Sequence, residues 1–320
     1  MTLLNVEDLK VHFKVGSKGL FGGEDKVVKA VNGVSFKVDR GSILGIVGES
    51  GCGKSTLVRG VSRLVPVTAG RIELLGKDLA AMGKNELRAF RKNFQMVFQD
   101  PEASLNPRLT VGEIIAEPIK VFEKGISKGE LADRVTELMG LVGLSPYMIR
   151  RFPHEFSGGQ RQRIGIARAI SINPELLICD ESVSALDVSI QAQIINLLHE
   201  IREKYKLTYL FISHDLAVVR YISDEIMVMY LGKAVEKGLT NDVINNPQHP
   251  YTKALISAVP EYNRKKQPIE LSGEIPSPLN PPKGCAFAAR CPIAESRCKA
   301  EEPLLKPVDG RLIACHKVNP

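Results

Sequence analysis

Tryptophan is absent from the 320 residues, and aromatic side chains make up only 6% of them. A stacking platform for single-stranded nucleic acid needs a series of exposed aromatics, so this composition argues against one. No apolar run reaches the roughly 18 residues that a membrane-spanning helix requires. The longest candidate, LMGLVGLSPYMI, is closed by Arg150 and Arg151. The opening MTLLNVEDLK has neither the basic start nor the apolar core of a secretory leader, and a cytosolic location is expected. There is no internal repeat, so one core is expected rather than a tandem pair. The net charge of +7 (43 basic against 36 acidic residues) comes without blocks of like charge, as a solvated surface would give.

Cysteine is scarce as well, at six residues, but it is unevenly spread. Cys285, Cys291, Cys298 and Cys315 all fall in the last 36 residues. In a reducing compartment, clustered thiols favour metal ligation over disulfides.

The apolar fraction of 44% suits a globular chain, and its patterning predicts an α/β core. Residues 3–13 and 27–47 alternate as strands, with the Gly-rich GLFGGED between them as a loop. GSILGIV is continuously apolar, as a strand buried on both faces should be. Helical periodicity follows in STLVRGVSRLV and stops before Pro66, and strand-like pieces come at 71–75 and 94–98. At least three helices are expected over 111–172, one of them opening on Ser127 and Glu130 with capping-box spacing. Strands return at 176–180, 208–213 and 225–230, with a helix near 188–204. Prolines 260, 268, 276, 278, 281 and 282 then predict an extended segment leading into the cysteines.

GESGCGKST follows the buried strand and opens the helix, and it fits the spacing G-x-x-x-x-G-K-S/T through Gly48, Gly53, Lys54 and Ser55. Glycines let backbone amides close round phosphate, and the helix N-terminus adds its positive end. Ser50, Gly51, Cys52 and Thr56 complete the loop, Cys52 at a free position that needs no ligand role. Lys54 would reach the β- and γ-phosphates and the Ser55 hydroxyl would ligate Mg²⁺. Downstream, LLICDES ends an apolar strand in Asp180, suited to the Mg²⁺ shell, with Glu181 beside it to polarise a water. FSGGQRQRIGIARAI places Ser157 and Gln160 at capping-box spacing, with Gly158 and Gly159 in the first turn. A second anion-binding helix start in a chain that already has a phosphate loop makes sense if it reads another subunit's nucleotide.

With these motifs in order, residues 3–250 resemble the ATP-binding cassette family. SGGQ looks like its signature, with Phe156 where Leu is commonest. Gln99 in VFQD resembles the Q-loop glutamine, SALD ending in Asp187 the D-loop, and His214 in ISHD the switch histidine. Phe13 falls where an aromatic stacks on adenine. The resemblance implies ATP hydrolysis between two cassettes: Lys54, Ser55 and Asp180 hold MgATP, Gln99 senses metal and water, and Glu181 is the general base. His214 contacts the γ-phosphate, while Ser157, Gly158, Gly159 and Gln160 close over the partner's ATP. Ser182 departs from the family's Pro, which puts the rate in doubt more than the activity.

VFQDPEASLNPRLTVGE, CDESVSALDVSIQAQ, HPYTKAL and GEIPSPLNPP are together similar to the dipeptide/oligopeptide importer ATPases, and FKVGSKGLFGGEDKVVKAVNGVSF to their F-type subunit. That implies an ATPase domain over 1–250, with a helical subdomain inserted at about 102–165, and a C-terminal extension over 251–320. It also implies a D-type ATPase partner in a heterodimer, two permease subunits, an external peptide-binding protein and a peripheral place at the cytoplasmic face of the membrane. No nucleic-acid partner is expected; the competing reading is a non-transport cassette ATPase working on nucleic acid or the ribosome.

The tail cysteines are separated by five, six and sixteen residues, without the tight C-x₂₋₄-C knuckles common in structural zinc sites. Their chemistry leaves zinc and iron–sulfur open, with an unligated loop as the alternative. The resemblance implies a 4Fe–4S cluster on Cys285, Cys291, Cys298 and Cys315, acting as a staple for a tail with little core. The cluster is expected to lie outside every ATP motif, without a direct catalytic role, so that Cys291→Ser should cost tail order or complex assembly before it costs ATP binding.

Overall fold

The computed structural model describes residues 1–16, 26–184, 186–259 and 269–318. The GLFGGED loop, Ala185 of SALD and prolines 260 and 268 lie outside them. The chain forms two compact units: Met1–Asp39 with Ile43–Ala81 and His214–Pro320, and Arg40–Ser42 with Met82–Ser213.

In the first unit the alternating N-terminal segments form the long antiparallel strands Thr2–Val15 and Lys26–Asp39, extended by Ala69–Leu74 and Lys77–Asp78. Leu4, Val6, Leu9 and Val11 supply the buried face, and the register slips between Val6 and Leu9, where Asp8 takes a left-handed φ of 44°. In a second sheet, Ile43–Val47 is buried at every residue and runs parallel to Glu225–Tyr230. Gly45 is obligatory there, because a Cβ would sit 2.4 Å from Val219 Cγ1 of the helix Leu216–Ile222. The strand Lys233–Leu239 pairs antiparallel to Glu225–Tyr230, and beyond it come two short strands of the extension, Arg311–Ile313 and Lys306–Val308. Pattern reading missed these last three. Two of them span only three residues and carry too few alternations to register, and in the seven-residue Lys233–Leu239 the charged Glu236 and Lys237 interrupt the apolar pattern.

In the second unit Phe94–Val97, Leu176–Asp180 and Thr208–Ile212 run parallel, the latter two buried throughout. The helices expected over 111–172 are Val111–Phe122, Lys128–Leu141 and Gly158–Ile170. Each opens on a closed capping box, at Thr110 and Glu113, Ser127 and Glu130, and Ser157 and Gln160. The box at Thr110 carries the same T-x-x-E signal but was not foreseen. The α/β class, the N-terminal antiparallel strands and the helical parts are thus all present. No helix of the described residues is long and apolar enough to cross a membrane.

Candidate functional site

The phosphate loop joins Ile43–Val47 to the helix Lys54–Val61, as its strand–loop–helix spacing requires. Two of its glycines are fixed by close approach. A Cβ on Gly48 would lie 2.2 Å from the Met229 carbonyl oxygen, and one on Gly53 (φ 105°) 2.3 Å from that of Ala30. Gly51 meets nothing within 4 Å. Lys54 is 4% exposed, and its Nζ donates to the carbonyls of Gly48 (2.8 Å) and Glu49 (3.1 Å). Cys52 is buried, with its Sγ 4.0 Å from Lys54 Nζ, and burial raises its thiol pKa despite that lysine. Ser55 and Thr56 are half-buried on the first helical turn, and Ser50 is exposed. In the same unit, His214 is exposed directly before Asp215, whose carboxylate caps the helix Leu216–Ile222 by accepting from Ala217 N–H at 2.8 Å. Phe13 lies on the strand Thr2–Val15 opposite Val28, with 38% of its surface open.

The second unit holds the remaining motifs. Asp180 ends the strand Leu176–Asp180 fully buried. The chain then turns at Glu181, a non-glycine residue at φ 48°, a conformation costing on the order of 1–3 kcal/mol where the surroundings enforce it. Here they do: Glu181 N–H donates to Ile212 O at 3.1 Å, and its carbonyl accepts from the Ser184 hydroxyl at 2.9 Å. The Glu181 carboxylate accepts from Gln99 Nε2 at 2.8 Å, so two expected site residues meet directly. Ser182 is 2% exposed, and burial pushes the pKa of the neighbouring strand's Cys179 thiol up to about 12. Phe156 is buried. Gly159 packs on the helix Val188–Tyr205, where a Cβ would come 2.5 Å from Ile190 Cγ2. Gly158 faces Leu186 at an ordinary 3.6 Å, and Asp187 is the N-cap of that same helix. Within this unit Gln99 and the fully buried Asp180 offer hard oxygens, whose chemistry fits a hard divalent cation such as Mg²⁺, and the Ser55 hydroxyl of the first unit is a donor of the same kind.

The extension departs from expectation. Its thiols are neighbours: Cys285 N–H donates to Cys298 O at 2.8 Å, and the Cys285 pKa is pushed up to about 11 by burial, with Cys298, Cys315 and Cys291 adding to it. Yet among the described residues no group of three or more His, Cys, Asp or Glu side chains is drawn together to hold a metal ion. The thiol chemistry fits a metal centre; the arrangement of the thiols does not. What anchors the segment instead is ordinary packing and pairing. Phe287, 1% exposed, stacks edge-on to Tyr230 (5.2 Å between centroids) and lies 5.4 Å from Tyr251. Arg311 and Glu236 form a buried ion pair at 3.4 Å, with the Glu236 carboxylate also accepting from the N–H groups of Gln248 and His249.

Another residue of the extension does reach an ATP motif. Arg290 forks onto both carboxylate oxygens of Glu49 in the phosphate loop, at 2.8 and 3.1 Å. Tyr251 joins it, accepting the Glu49 N–H at 2.9 Å. Arg290 and Phe287 were not foreseen; the pair with Glu49 spans 241 positions, and no local pattern points to it.

Two family descriptions match this chain: "ABC transporter" over residues 31–184, and "Oligopeptide/dipeptide transporter, C-terminal region" over 235–298. The oligopeptide transport ATP-binding protein OppF of Salmonella typhimurium is 53% identical across 99% of this chain and 97% of its own length. AppF of Bacillus subtilis, also named an oligopeptide transport ATP-binding protein, is 53% identical across 98% and 97%. DppF of Escherichia coli, a dipeptide transport ATP-binding protein, is 48% identical across 99% and 95%. Among solved structures, the dimeric ATP-binding cassette MJ0796 in a post-hydrolysis state with ADP and Pi superposes with a TM-score of 0.67 at 25% identity, over 74% of this chain and 99% of its own. Full-length identity at this level, on top of a glycine-fixed phosphate loop and a capped SGGQ helix, leaves one conclusion: the chain belongs to the ABC transporter ATPases, in the group that carries the oligopeptide/dipeptide-transporter C-terminal region.

Proposed function

We propose that this protein hydrolyses ATP to power the import of dipeptides or oligopeptides, as a peripheral subunit at the cytoplasmic face of a membrane transporter. The names of its near full-length relatives support the peptide cargo. The observation that carries the chemistry is the Gln99–Glu181 hydrogen bond at a strained strand end. It supports Glu181 as the base that takes a proton from the attacking water, with Gln99 orienting that water. The other roles follow from position: the loop of Gly48, Gly53 and Lys54 cradles phosphate, Ser55 and Asp180 hold Mg²⁺, and His214 approaches the γ-phosphate. Phe13 stacks on the base, while Ser157, Gly158, Gly159 and Gln160 face a second cassette's nucleotide and Asp187 supports that contact. Mg²⁺, when bound, neutralises charge developing on the transferred phosphoryl group.

That second cassette is a D-type ATPase subunit, this chain being F-type, and the pair sits on two permease subunits fed by a peptide-binding protein. Glu181→Gln in the assembled transporter should retain ATP binding and lose about two to four powers of ten in turnover. A normal rate would remove Glu181 from the role. A tagged pull-down from membranes should recover a second ATPase and two permeases; two copies of this chain alone, or bound RNA, would overturn the partner assignment.

The tail thiols take a metal centre in this reading, a 4Fe–4S cluster or alternatively zinc. Its support is the mutual proximity of the four cysteines, and the arrangement of the thiols stands against it. Metal analysis of anaerobically purified protein decides: iron with sulfide supports the cluster, zinc the alternative, and neither removes the metal centre altogether.

A further inference from the structure

The second position of the phosphate loop is acidic. Glu49 follows Gly48 directly, in a segment whose task is to receive a polyanion. An uncompensated carboxylate there would oppose phosphate binding, and more strongly so because its side chain is only 28% exposed. Its partner comes from the far end of the chain. Arg290 is 9% exposed, lies between Cys285 and Cys291, and binds both Glu49 oxygens in the planar fork that favours Arg over Lys.

The rest of Glu49 is equally fixed. Its N–H is bound by the Tyr251 hydroxyl, and its carbonyl accepts from Lys54 Nζ at 3.1 Å and from Cys52 N–H at 3.2 Å. Tyr251 and Tyr230 are buried against Phe287, three residues before Arg290, and the Arg290 guanidinium lies 5.9 Å from the Tyr230 ring centre. One turn of the extension therefore supplies the countercharge for the loop and one wall of the aromatic cluster behind it.

We propose that Arg290 is a positioning residue for nucleotide binding: it neutralises and orients Glu49, so that ATP affinity depends on the order of the C-terminal extension. This rests on the reading of the chain as an ATP-binding subunit. It reverses the order of failure expected from the sequence, because tail damage then reaches the phosphate loop first.

The test is titration of the full chain with a fluorescent ATP analogue and Mg²⁺, displaced by ATP, alongside thermal melting. Arg290→Gln should weaken ATP by about tenfold, the order expected for losing a bidentate charge-assisted pair, and Arg290→Lys by less. Adding Glu49→Gln to Arg290→Gln should restore affinity to within about threefold of wild type, since the repelling charge is then gone. Melting temperature should stay lowered in that double variant, separating electrostatic positioning from mere anchoring. Glu49→Gln alone should bind ATP at least as well as wild type, and that holds as a test even if Arg290→Gln fails to fold. The proposal falls if Arg290→Gln binds like the exposed control Arg297→Gln, if Glu49→Gln does not rescue it, or if Glu49→Gln alone weakens binding. A wild-type chain that bound no nucleotide would overturn the functional reading and this proposal together, whereas the other outcomes strike the proposal alone.

Discussion

The phosphate loop and the C-terminal extension are both largely irregular segments of the same compact unit, and they are held in opposite ways. The loop is fixed by backbone approach: Gly48 and Gly53 sit where a Cβ would strike the carbonyls of Met229 and Ala30, and Lys54 bonds the loop's own carbonyls. Long side chains do that work in the extension, with Arg290 on Glu49, Arg311 on Glu236 and Phe287 among tyrosines. Backbone approach leaves a signature of invariant spacing, because only glycine fits. Side-chain anchoring leaves none, because each contact depends on a partner far along the chain.

The sharpest way to break this contrast is to remove an anchor. Arg311→Met strands the Glu236 charge, fully buried with two backbone donors, and should cost about 3–5 kcal/mol in denaturant unfolding. Adding Glu236→Gln should recover most of that loss, since the amide oxygen still accepts while the charge is gone. A double variant as unstable as the single one would mean that packing, not charge, dominates.

Within the loop, the contrast is between two glycines that both have positive φ. Gly51→Ala should cost about 1 kcal/mol of backbone strain and keep ATP binding, because nothing lies within 4 Å of the new Cβ. Gly53→Ala adds a 2.3 Å clash with Ala30 O to the same strain and should lose measurable ATP binding. Equal affinities for the two variants would show that backbone approach does not fix the loop.

A third contrast, read from pH rather than from a clash, concerns a residue two positions before Tyr251. His249 caps the helix Pro250–Ser257 through its ring nitrogen, which accepts Tyr251 N–H at 3.1 Å. Burial pushes its pKa down from 6.5 to about 3. Between those values the unfolded chain binds a proton that the folded chain refuses. Stability is therefore complete above about pH 6.5 and falls on acidification, by up to about 1.4 kcal/mol per pH unit from this group. His249→Asn keeps an acceptor without the titration, so its melting temperature should vary less between pH 7 and pH 5 than that of wild type. Parallel pH profiles would assign the acid sensitivity elsewhere.

Much of the candidate site was legible because its signals are local. The strand–loop–helix around Lys54, the capping boxes at Ser127 and Ser157 and the buried strand ending in Asp180 are each contiguous in sequence, the longest running only from Ile43 to Val61. The geometry at Glu181 was only half legible: its identity stands in the sequence, but its left-handed backbone is imposed by Ile212 and Ser184. For the tail cysteines, clustering in sequence and resemblance suggested a metal staple, whereas aromatic packing and ion pairs anchor the segment in the structure. Thiol spacing along a chain says which ligands exist, not whether they converge.

The sequence by itself determined the phosphate loop, the capped SGGQ helix and the α/β order, because glycine sterics, cap hydrogen bonds and hydrophobic periodicity act over a few residues. Only the tertiary structure decided that the extension adds strands beside Lys233–Leu239 and sends Arg290 to Glu49. Those contacts join residues 65 or more positions apart, and their energy comes from burying charge and aromatic surface that no local pattern encodes.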